Sequence, residues 1–176
     1  PGVIALALLT LSPKDVEPHR ARWTEIAEGI TGACVEMWAI TATGLAPEHV
    51  QISSAAPHNI EGIPEVGKHS LLRPETVESL YYMYQLTREA KYRQWGEQIF
   101  QAIVLQSKAG AAFSSVADVR RTPAKTTDEL HSFVFAETFK YLYLLFAPPG
   151  LLDLHTYVLN TEGHPLRRAG RSLRRT

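Results

Sequence analysis

Two glutamates at the start of a predicted helix are the first residues of this sequence that could do chemistry. Pro74 suits the first position of a helix, which places Glu75 and Glu78 in the first turn and on one face. Free N–H groups and the helix dipole favour negative charge there. A carboxylate kept ionised in this way suits a general base or a ligand of metal-bound water. Taken alone, the spacing favours the alternative, an ordinary acidic helix start.

A second carboxylate is predicted on an aromatic helix face. Phe133 and Glu137 are four residues apart in an otherwise apolar segment, so they share one side of the helix. A glutamate in such surroundings is costly to bury unless it is paired or functional. An aromatic ring beside a carboxylate suits a sugar, which has an apolar C–H face and a rim of hydroxyl groups. A paired structural glutamate is an equally supported interpretation.

An oxygen-rich segment lies near the end of the sequence, where Asn160 to Pro165 follow the β-prone stretch 157–159. Its carbonyl, hydroxyl and carboxylate oxygens are the donors that a hard cation such as Ca²⁺ takes. Taken alone, this segment is better explained as a solvated turn. The sequence has no H-E-x-x-H, P-loop or G-x-S-x-G motif, so the three clusters carry the whole chemical signal.

The elements that must position these clusters are predicted to be helices. Apolar spacing predicts helices over 3–11, 22–41, 74–87 and 91–107. The short link between the last two predicts an antiparallel hairpin. A capping box at 126–129 predicts a further helix that starts there and ends before Pro148. Long connections join these elements, and the sequence therefore predicts an all-α fold with a short terminal β segment.

The composition is that of a globular protein: 176 residues, 45% hydrophobic and 20% charged. The 18 basic and 18 acidic residues cancel, so nucleic acid is not an expected partner. The longest apolar runs, 3–9 and 141–147, are far shorter than the roughly 20 residues of a membrane-spanning helix. Residues 167–176 hold five Arg and no acid, and they are expected to form a disordered basic tail.

Taken in order, the segments resemble the class I α-1,2-mannosidases of glycoside hydrolase family 47. The resemblance covers about residues 1–166, and the order of several long motifs makes it specific. The matching stretches are Pro1-Gly2 with the apolar run behind it, Thr43-Gly44-Leu45-Ala46-Pro47-Glu48, Leu71-Leu72-Arg73-Pro74-Glu75-Thr76-Val77-Glu78-Ser79, Lys91-Tyr92-Arg93-Gln94-Trp95-Gly96, Ser132-Phe133 with Ala136-Glu137-Thr138, 140–146, and 157–165. The resemblance implies the C-terminal part of an (αα)₇ barrel, plugged by the terminal β segment.

The resemblance also implies a role for each cluster in calcium-dependent, inverting hydrolysis of terminal α-1,2-linked mannose. Glu75 corresponds to the catalytic base. The residues that correspond to substrate-binding positions are Arg73, Phe133 and Glu137, with the phenylalanine ring as the floor of the sugar pocket. Thr161 corresponds to the direct Ca²⁺ ligand, and three glutamates correspond to positions that hold calcium-bound water: Glu78, Glu137 and Glu162.

Two features of the family correspond to positions outside this sequence. Its general acid lies further upstream, so the 176 residues alone are expected to be inactive. The single cysteine, Cys34, corresponds to half of a disulfide whose partner lies shortly before the position of Pro1. The residues themselves leave a buried free thiol as the alternative. The sequence starts inside an apolar run without a signal peptide, which indicates a piece of a longer protein.

The implied function is processing of high-mannose N-glycans on glycoproteins in the secretory pathway, in the lumen of the endoplasmic reticulum or Golgi. A membrane anchor would then lie upstream, and secretion is the alternative location. A second hypothesis, of another class, is a lectin-like, degradation-enhancing relative that recognises mannose glycans and hydrolyses them weakly or not at all. Trp95-Gly96 and Asn160-Thr161-Glu162 resemble the processing branch. A mispredicted gene model is a third interpretation, allowed by the abrupt start and the arginine-rich end.

Overall fold

The chain folds mainly into helices, as the apolar spacing predicts. A computed structural model describes residues 1–53 and 60–169. The helices are α1 (Gly2–Thr10), α2 (Pro13–Val16), α3 (Arg20–Ala39), α4 (Glu75–Thr87), α5 (Ala90–Ser107) and α6 (Lys140–Phe146). A π-helical stretch, Val134–Phe139, runs directly into α6. The predicted all-α class is confirmed.

Helix α4 is the centre of the fold. It packs against α1, α3, α5 and α6, and its buried side chains include Val77, Leu80 and Met83. A two-residue link joins it to α5, and Arg88 in this link adopts a left-handed conformation with φ 61°. The predicted antiparallel hairpin is therefore confirmed. Because α4 is surrounded by other helices, its first turn is held at a defined place in the molecule.

The strands are short and form two-stranded antiparallel pairs. They are β1 (Gln51–Ile52) with β2 (Ile60–Gly62), β3 (Lys108–Ala109) with β4 (Ala112–Phe113), and β5 (Tyr157–Leu159) with β6 (Pro165–Arg167). A 3₁₀ turn, Glu65–Gly67, follows β2. The long connections predicted from the sequence thus contain the first two hairpins. The third, β5–β6, brings the oxygen-rich segment back towards the helices.

The helix predicted to begin at the capping box does not start there. Thr127 donates its N–H to the carbonyl of Ser115, at 3.0 Å, and Ser115 donates its own N–H to the carbonyl of Glu129, at 2.7 Å. Asp128 has φ 60°, which is incompatible with a right-handed helix. The capping-box prediction is wrong because tertiary pairing uses the backbone groups that a first helical turn would have used. Helical structure begins only at Val134.

The terminal hairpin extends beyond the predicted boundary at residue 166. Arg167 pairs with Tyr157 across β6 and β5, and the N–H of Arg168 donates to the carbonyl of Thr156 at 2.9 Å. These two arginines belong to the hairpin rather than to the tail. Residues 170–176, the rest of the predicted tail, lie outside the described residues. In the described part of the chain, no helix combines the length and the apolar character needed to cross a bilayer.

Candidate functional site

The first turn of α4 carries the two glutamates that the sequence singled out. Pro74 is buried and is the last residue before the helix, and Glu75 and Glu78 stand in its first turn. Glu75 is exposed, whereas Glu78 is half-buried. The helix begins at Glu75, one residue after the predicted start at Pro74, and its first turn carries two carboxylates of unequal exposure.

The approach to this turn is fixed by a strained residue. Leu72 is fully buried and has φ 61°, a conformation that is unusual for a bulky side chain and costs about 1–3 kcal/mol. Its carbonyl accepts a hydrogen bond from Thr138 Oγ1 at 2.7 Å, and its N–H donates to Ser70 Oγ at 3.4 Å. The strained residue is therefore held by a local bond to Ser70 and by a bond from the distant π-helix.

The π-helical stretch presents Glu137. π-helical turns are rare and often occur at functional sites. Glu137 is half-buried, and Thr138 beside it is fully buried and bonded to Leu72. Phe133 precedes the stretch and is also half-buried. The hydrogen bond of Thr138 thus links the segment that carries Glu137 to the segment that leads to α4.

The turn between β5 and β6 rests on the same helix. Asn160 Oδ1 accepts the N–H groups of Glu162, at 3.0 Å, and His164, at 2.8 Å. Gly163 has φ 67°, and a Cβ added there would lie 2.7 Å from the carbonyl oxygen of Ala136. Lys140 Nζ donates to the Gly163 carbonyl at 2.7 Å. The turn is therefore bonded both internally and to the helix beneath it, and Thr161 lies within it.

These three segments enclose a cavity of about 310 Å³, which we call the carboxylate cavity. Its lining contains three of the predicted glutamates together with the predicted direct metal ligand. The lining residues are Pro74, Glu75, Glu78, Glu137, Tyr141, Leu159, Asn160 and Thr161. Residues separated by up to 87 positions in the sequence thus meet in one place.

The other predicted site residues lie beside the cavity rather than in its lining. Arg73 Nε donates to Glu48 Oε2 at 2.5 Å, and its guanidinium carbon lies 5.6 Å from the centre of the Phe133 ring. The Phe133 ring is stacked on that of His131, with centres 5.2 Å apart. Glu162 is exposed in the β5–β6 turn. Arg73 and Phe133 therefore form one stacked group next to the cavity.

The cavity concentrates negative charge. Burial raises the pKa of Glu137, and the carboxylates of the neighbouring glutamates raise it further, whereas Lys140 lowers it. Burial likewise raises the pKa of Glu78. A hydrogen bond from Tyr141 lowers this pKa, and the negative charge of Glu75 raises it. Repulsion of this kind is relieved by a bound cation, so the electrostatics of the cavity fit a positively charged ligand.

The donor set fits a cation held largely through water. In residues 1–53 and 60–169, no group of three or more His, Cys, Asp or Glu side chains lies close enough together to hold a metal directly. The hydroxyl and carbonyl of Thr161 and the oxygens of Asn160 are neutral oxygen donors at the same cavity. Hard cations such as Ca²⁺ accept such donors and commonly keep waters as the remaining ligands.

Sequence reasoning did not identify three residues that support the site. Tyr141 donates to Glu78, Lys140 holds the β5–β6 turn, and Glu48 accepts from both the Leu71 N–H and Arg73. In the sequence, Tyr141 belongs to the apolar residues of its helix. This pattern does not predict that its hydroxyl bonds to Glu78. Glu48 is the last residue of the matching segment 43–48, but no local pattern predicts its contacts with Leu71 and Arg73.

The cysteine lies in an apolar environment. Cys34 is half-buried in α3 and is a free thiol here. The neighbouring apolar residues in its small pocket include Ile30 and Met37, and burial raises the pKa of the thiol. Its pairing with a cysteine outside this chain stays a prediction.

Comparison with known proteins agrees with the fold. The sequence profile of glycosyl hydrolase family 47 matches residues 1–168. The chain is 38% identical over 157 residues to a mannosyl-oligosaccharide 1,2-α-mannosidase of Arabidopsis thaliana, covering 81% of this chain and 25% of that protein. It is 41% identical over 151 residues to the endoplasmic reticulum mannosyl-oligosaccharide 1,2-α-mannosidase of Schizosaccharomyces pombe, covering 84% and 29%.

A human protein and a solved structure extend the comparison. The endoplasmic reticulum mannosyl-oligosaccharide 1,2-α-mannosidase of Homo sapiens is 38% identical over 173 residues, covering 94% of this chain and 24% of that protein. The α-1,2-mannosidase structure from Trichoderma reesei superposes with a TM-score of 0.71 and 28% identity, over 94% of this chain and 37% of that one. The chain spans about a quarter of the length of the curated relatives it matches. With the profile match over nearly its whole length, this chain belongs to glycosyl hydrolase family 47.

Proposed function

We propose that the protein containing this chain is a calcium-dependent, inverting α-1,2-mannosidase that removes terminal α-1,2-linked mannose from high-mannose N-glycans. The observation that carries the proposal is the carboxylate cavity, where Glu75, Glu78, Glu137 and Thr161 meet. Membership of glycosyl hydrolase family 47 and the names of the relatives give the cavity its chemical context.

Glu75 is proposed as the general base. It is exposed, lines the cavity and stands in the first turn of α4. In inverting hydrolysis a carboxylate activates a water molecule on the face of the sugar opposite the leaving group, and a carboxylic acid protonates the glycosidic oxygen. Glu75 would accept the proton of that water.

Sugar binding is assigned to the group beside the cavity. The half-buried Phe133 ring offers an apolar surface to the C–H face of a mannose. Arg73, close to that ring, offers guanidinium N–H donors to hydroxyl groups. Glu137 lines the cavity together with Thr161 and would accept hydrogen bonds from a sugar hydroxyl.

The residues proposed to hold Ca²⁺ are those of the β5–β6 turn and the carboxylates facing it. Thr161 would bind directly through its carbonyl and hydroxyl oxygens, and three glutamates would bind through water: Glu78, Glu137 and Glu162. When bound, the ion would orient the 2- and 3-hydroxyls of the sugar. Lys140 and Asn160 keep Thr161 in place through the hydrogen bonds of the turn.

The chain by itself is proposed to be inactive. An inverting hydrolase needs an acid and a base carboxyl group about 6.5–9.5 Å apart. By family resemblance, the acid corresponds to a position upstream of these residues. The carboxylate cavity would then be the base and calcium side of a larger site.

The proposed substrate and location follow from the relatives. Several are named mannosyl-oligosaccharide 1,2-α-mannosidases, and four of these names refer to the endoplasmic reticulum. We therefore place this protein in the secretory pathway, acting on mannose-rich glycans of glycoproteins, with the endoplasmic reticulum as the expected compartment. A location in the Golgi or outside the cell is the alternative.

The test is the calcium response of the full-length protein that contains this chain, comparing wild type with Thr161→Val and Thr161→Ser. Wild type should show a higher melting temperature with calcium, because a ligand that binds only the native state stabilises it. Thr161→Val, which has the same shape without the hydroxyl, should lose most of this rise, and Thr161→Ser should keep it.

Cleavage of α-1,2-mannobiose, measured on the same three proteins, should follow the calcium response. A wild-type protein whose melting temperature ignores calcium would disprove the metal assignment. Calcium binding without any mannobiose cleavage would instead disprove the hydrolase assignment and favour glycan recognition.

A further inference from the structure

The side chain of Tyr141 connects α6 to the carboxylate cavity. Its hydroxyl donates a hydrogen bond to Glu78 Oε1 at 3.2 Å. Tyr141 is 2% exposed and is itself part of the cavity lining. The bond therefore crosses between two helices at the wall of the site.

The ring of Tyr141 has little freedom to move. It packs against Tyr81, with ring centres 6.1 Å apart, and against Tyr82, at 6.2 Å. Both of these rings are buried in the core of α4. A phenylalanine would fill the same space, so packing alone does not account for a hydroxyl at this position. What the hydroxyl adds is its hydrogen bond to Glu78, together with an interaction with the Tyr82 side chain.

The hydrogen bond also engages one of the two oxygens of the Glu78 carboxylate. A carboxylate that accepts a hydrogen bond from a rigid ring is restricted in its rotation. A single donor thus limits the orientations in which Glu78 can face the cavity.

We propose that Tyr141 is a positioning residue, whose hydroxyl fixes the orientation of the Glu78 carboxylate so that it can hold the water shell of a bound cation. This inference rests on the proposed calcium site. Hydrogen bonds of this kind, one shell away from a metal, commonly change its affinity about 10- to 100-fold. Tyr141 touches neither the ion nor the sugar in this proposal.

The experiment measures the calcium dissociation constant of the full-length protein, by titration, for wild type, Tyr141→Phe and Tyr81→Phe. Tyr81 is the matched control, because it is a buried tyrosine of the same cluster. In the described part of the chain, Glu78 accepts a side-chain hydrogen bond from Tyr141 and not from Tyr81. Tyr141→Phe should weaken calcium binding about tenfold, and Tyr81→Phe should leave it unchanged.

A double-mutant cycle with Glu78→Gln separates positioning from a general loss of structure. If Tyr141 acts through Glu78, adding Tyr141→Phe to Glu78→Gln should weaken calcium binding no further, whereas an unrelated structural defect would add to it. If Tyr141→Phe also lowers the melting temperature without calcium, the same cycle still shows whether its effect on calcium binding acts through Glu78.

Three results would overturn the inference: unchanged binding in Tyr141→Phe, an equal loss in Tyr81→Phe, or full additivity with Glu78→Gln. In each of these the wild-type protein still binds calcium, so the proposed function stands. If wild type binds no calcium at all, the metal of the proposed function is wrong, and the inference is overturned with it.

Discussion

The carboxylate cavity and the apolar face formed by α5 and α6 differ in how their side chains are packed and bonded. Polar side chains at the cavity have hydrogen-bond partners, whereas side chains of the apolar face are exposed. We define the α5–α6 apolar face by Phe100, Leu105, Tyr143 and Phe146. Around the cavity, four side chains donate hydrogen bonds to carboxylates or backbone carbonyls of other segments. On the apolar face, Leu105 is 78% and Tyr143 is 65% exposed. These side chains border two open apolar depressions of about 540 and 560 Å³.

The proposed functional site is thus not the largest of the three concave regions compared. Both apolar depressions are larger than the cavity, yet neither has a carboxylate in its lining. The cavity is smaller but is bordered by charged groups, a strained residue and a π-helical turn. Such costly features persist only where the surrounding structure holds them in place. Exposed apolar side chains are different. They remain in contact with water, so they contribute no hydrophobic stabilisation to the fold of the described residues.

The largest effect should come from the base. Glu75→Gln in the full-length protein should reduce kcat on α-1,2-mannobiose about 10²- to 10⁴-fold, because the amide cannot accept the proton of the attacking water. Calcium binding should be nearly unchanged. Glu97→Gln, an exposed glutamate on α5, is the control. Full activity in Glu75→Gln would show that Glu75 is not the general base, and the cavity would then lose its proposed catalytic role.

The apolar face should determine how the 176-residue chain behaves on its own. Its exposed side chains predict self-association and strong binding of a hydrophobic fluorescent dye. Leu105→Glu combined with Tyr143→Glu should reduce both, since each replaces an exposed apolar group with a charge. Sedimentation and dye fluorescence are the measurements, and Glu97→Gln again serves as the control. A monodisperse wild-type chain that binds no dye would contradict this view of the face.

The smallest effect should come from an ion-pair network on the approach to the cavity. Asp118 accepts two side-chain hydrogen bonds from Arg120, which also pairs with Glu65 at 2.7 Å. The nearby backbone of Val116 pairs with Ser70, two residues before the strained Leu72. Because the network lies near the surface, its net contribution should be small.

The pH dependence of this network has a definite sign. The hydrogen bonds from Arg120 lower the pKa of Asp118 to about 2, from an ordinary value of 3.8. A lowered pKa stabilises the folded state above the ordinary value, and this stabilisation is lost as the pH falls from about 4 to about 2. Asp118→Asn should therefore lower the melting temperature by a few degrees at pH 7.

The difference between wild type and Asp118→Asn should shrink over the same pH range, in melting curves of the full-length protein. The matched control is Asp128→Asn. Asp128 is exposed and has a left-handed backbone conformation, which asparagine also adopts. A difference that stays constant down to pH 2 would show that the charge of Asp118 does not contribute to stability.

Local patterns predicted most of the helices, because apolar spacing and helix-start chemistry are properties of neighbouring residues. Pro74 with Glu75 marked the start of α4, and the short link at Arg88 marked the hairpin. The capping box at Thr126 failed for the opposite reason. Its backbone groups pair with Ser115, which is distant in sequence, and that pairing outweighs a local helix signal.

The candidate residues of the site came from family resemblance combined with residue chemistry, and their meeting is a tertiary event. Each cluster alone was explained as well or better by an ordinary structural role. Their common position depends on the packing of α4 against α6 and on the hairpin that returns Thr161 to the helix. The roles assigned to Glu75, Glu78, Glu137 and Thr161 remain proposals that the calcium and activity measurements test.

The sequence by itself determined the class of fold, the family and the residue types available for chemistry, because these depend on composition, local spacing and motif order. Only the tertiary structure decided that Tyr141 bonds to Glu78, that Lys140 holds the Gly163 turn and that Leu72 is held in a strained conformation. Each of these depends on contacts between segments far apart in the chain. No local pattern records such contacts, since a hydroxyl or an ammonium group has the same sequence signal whatever it touches.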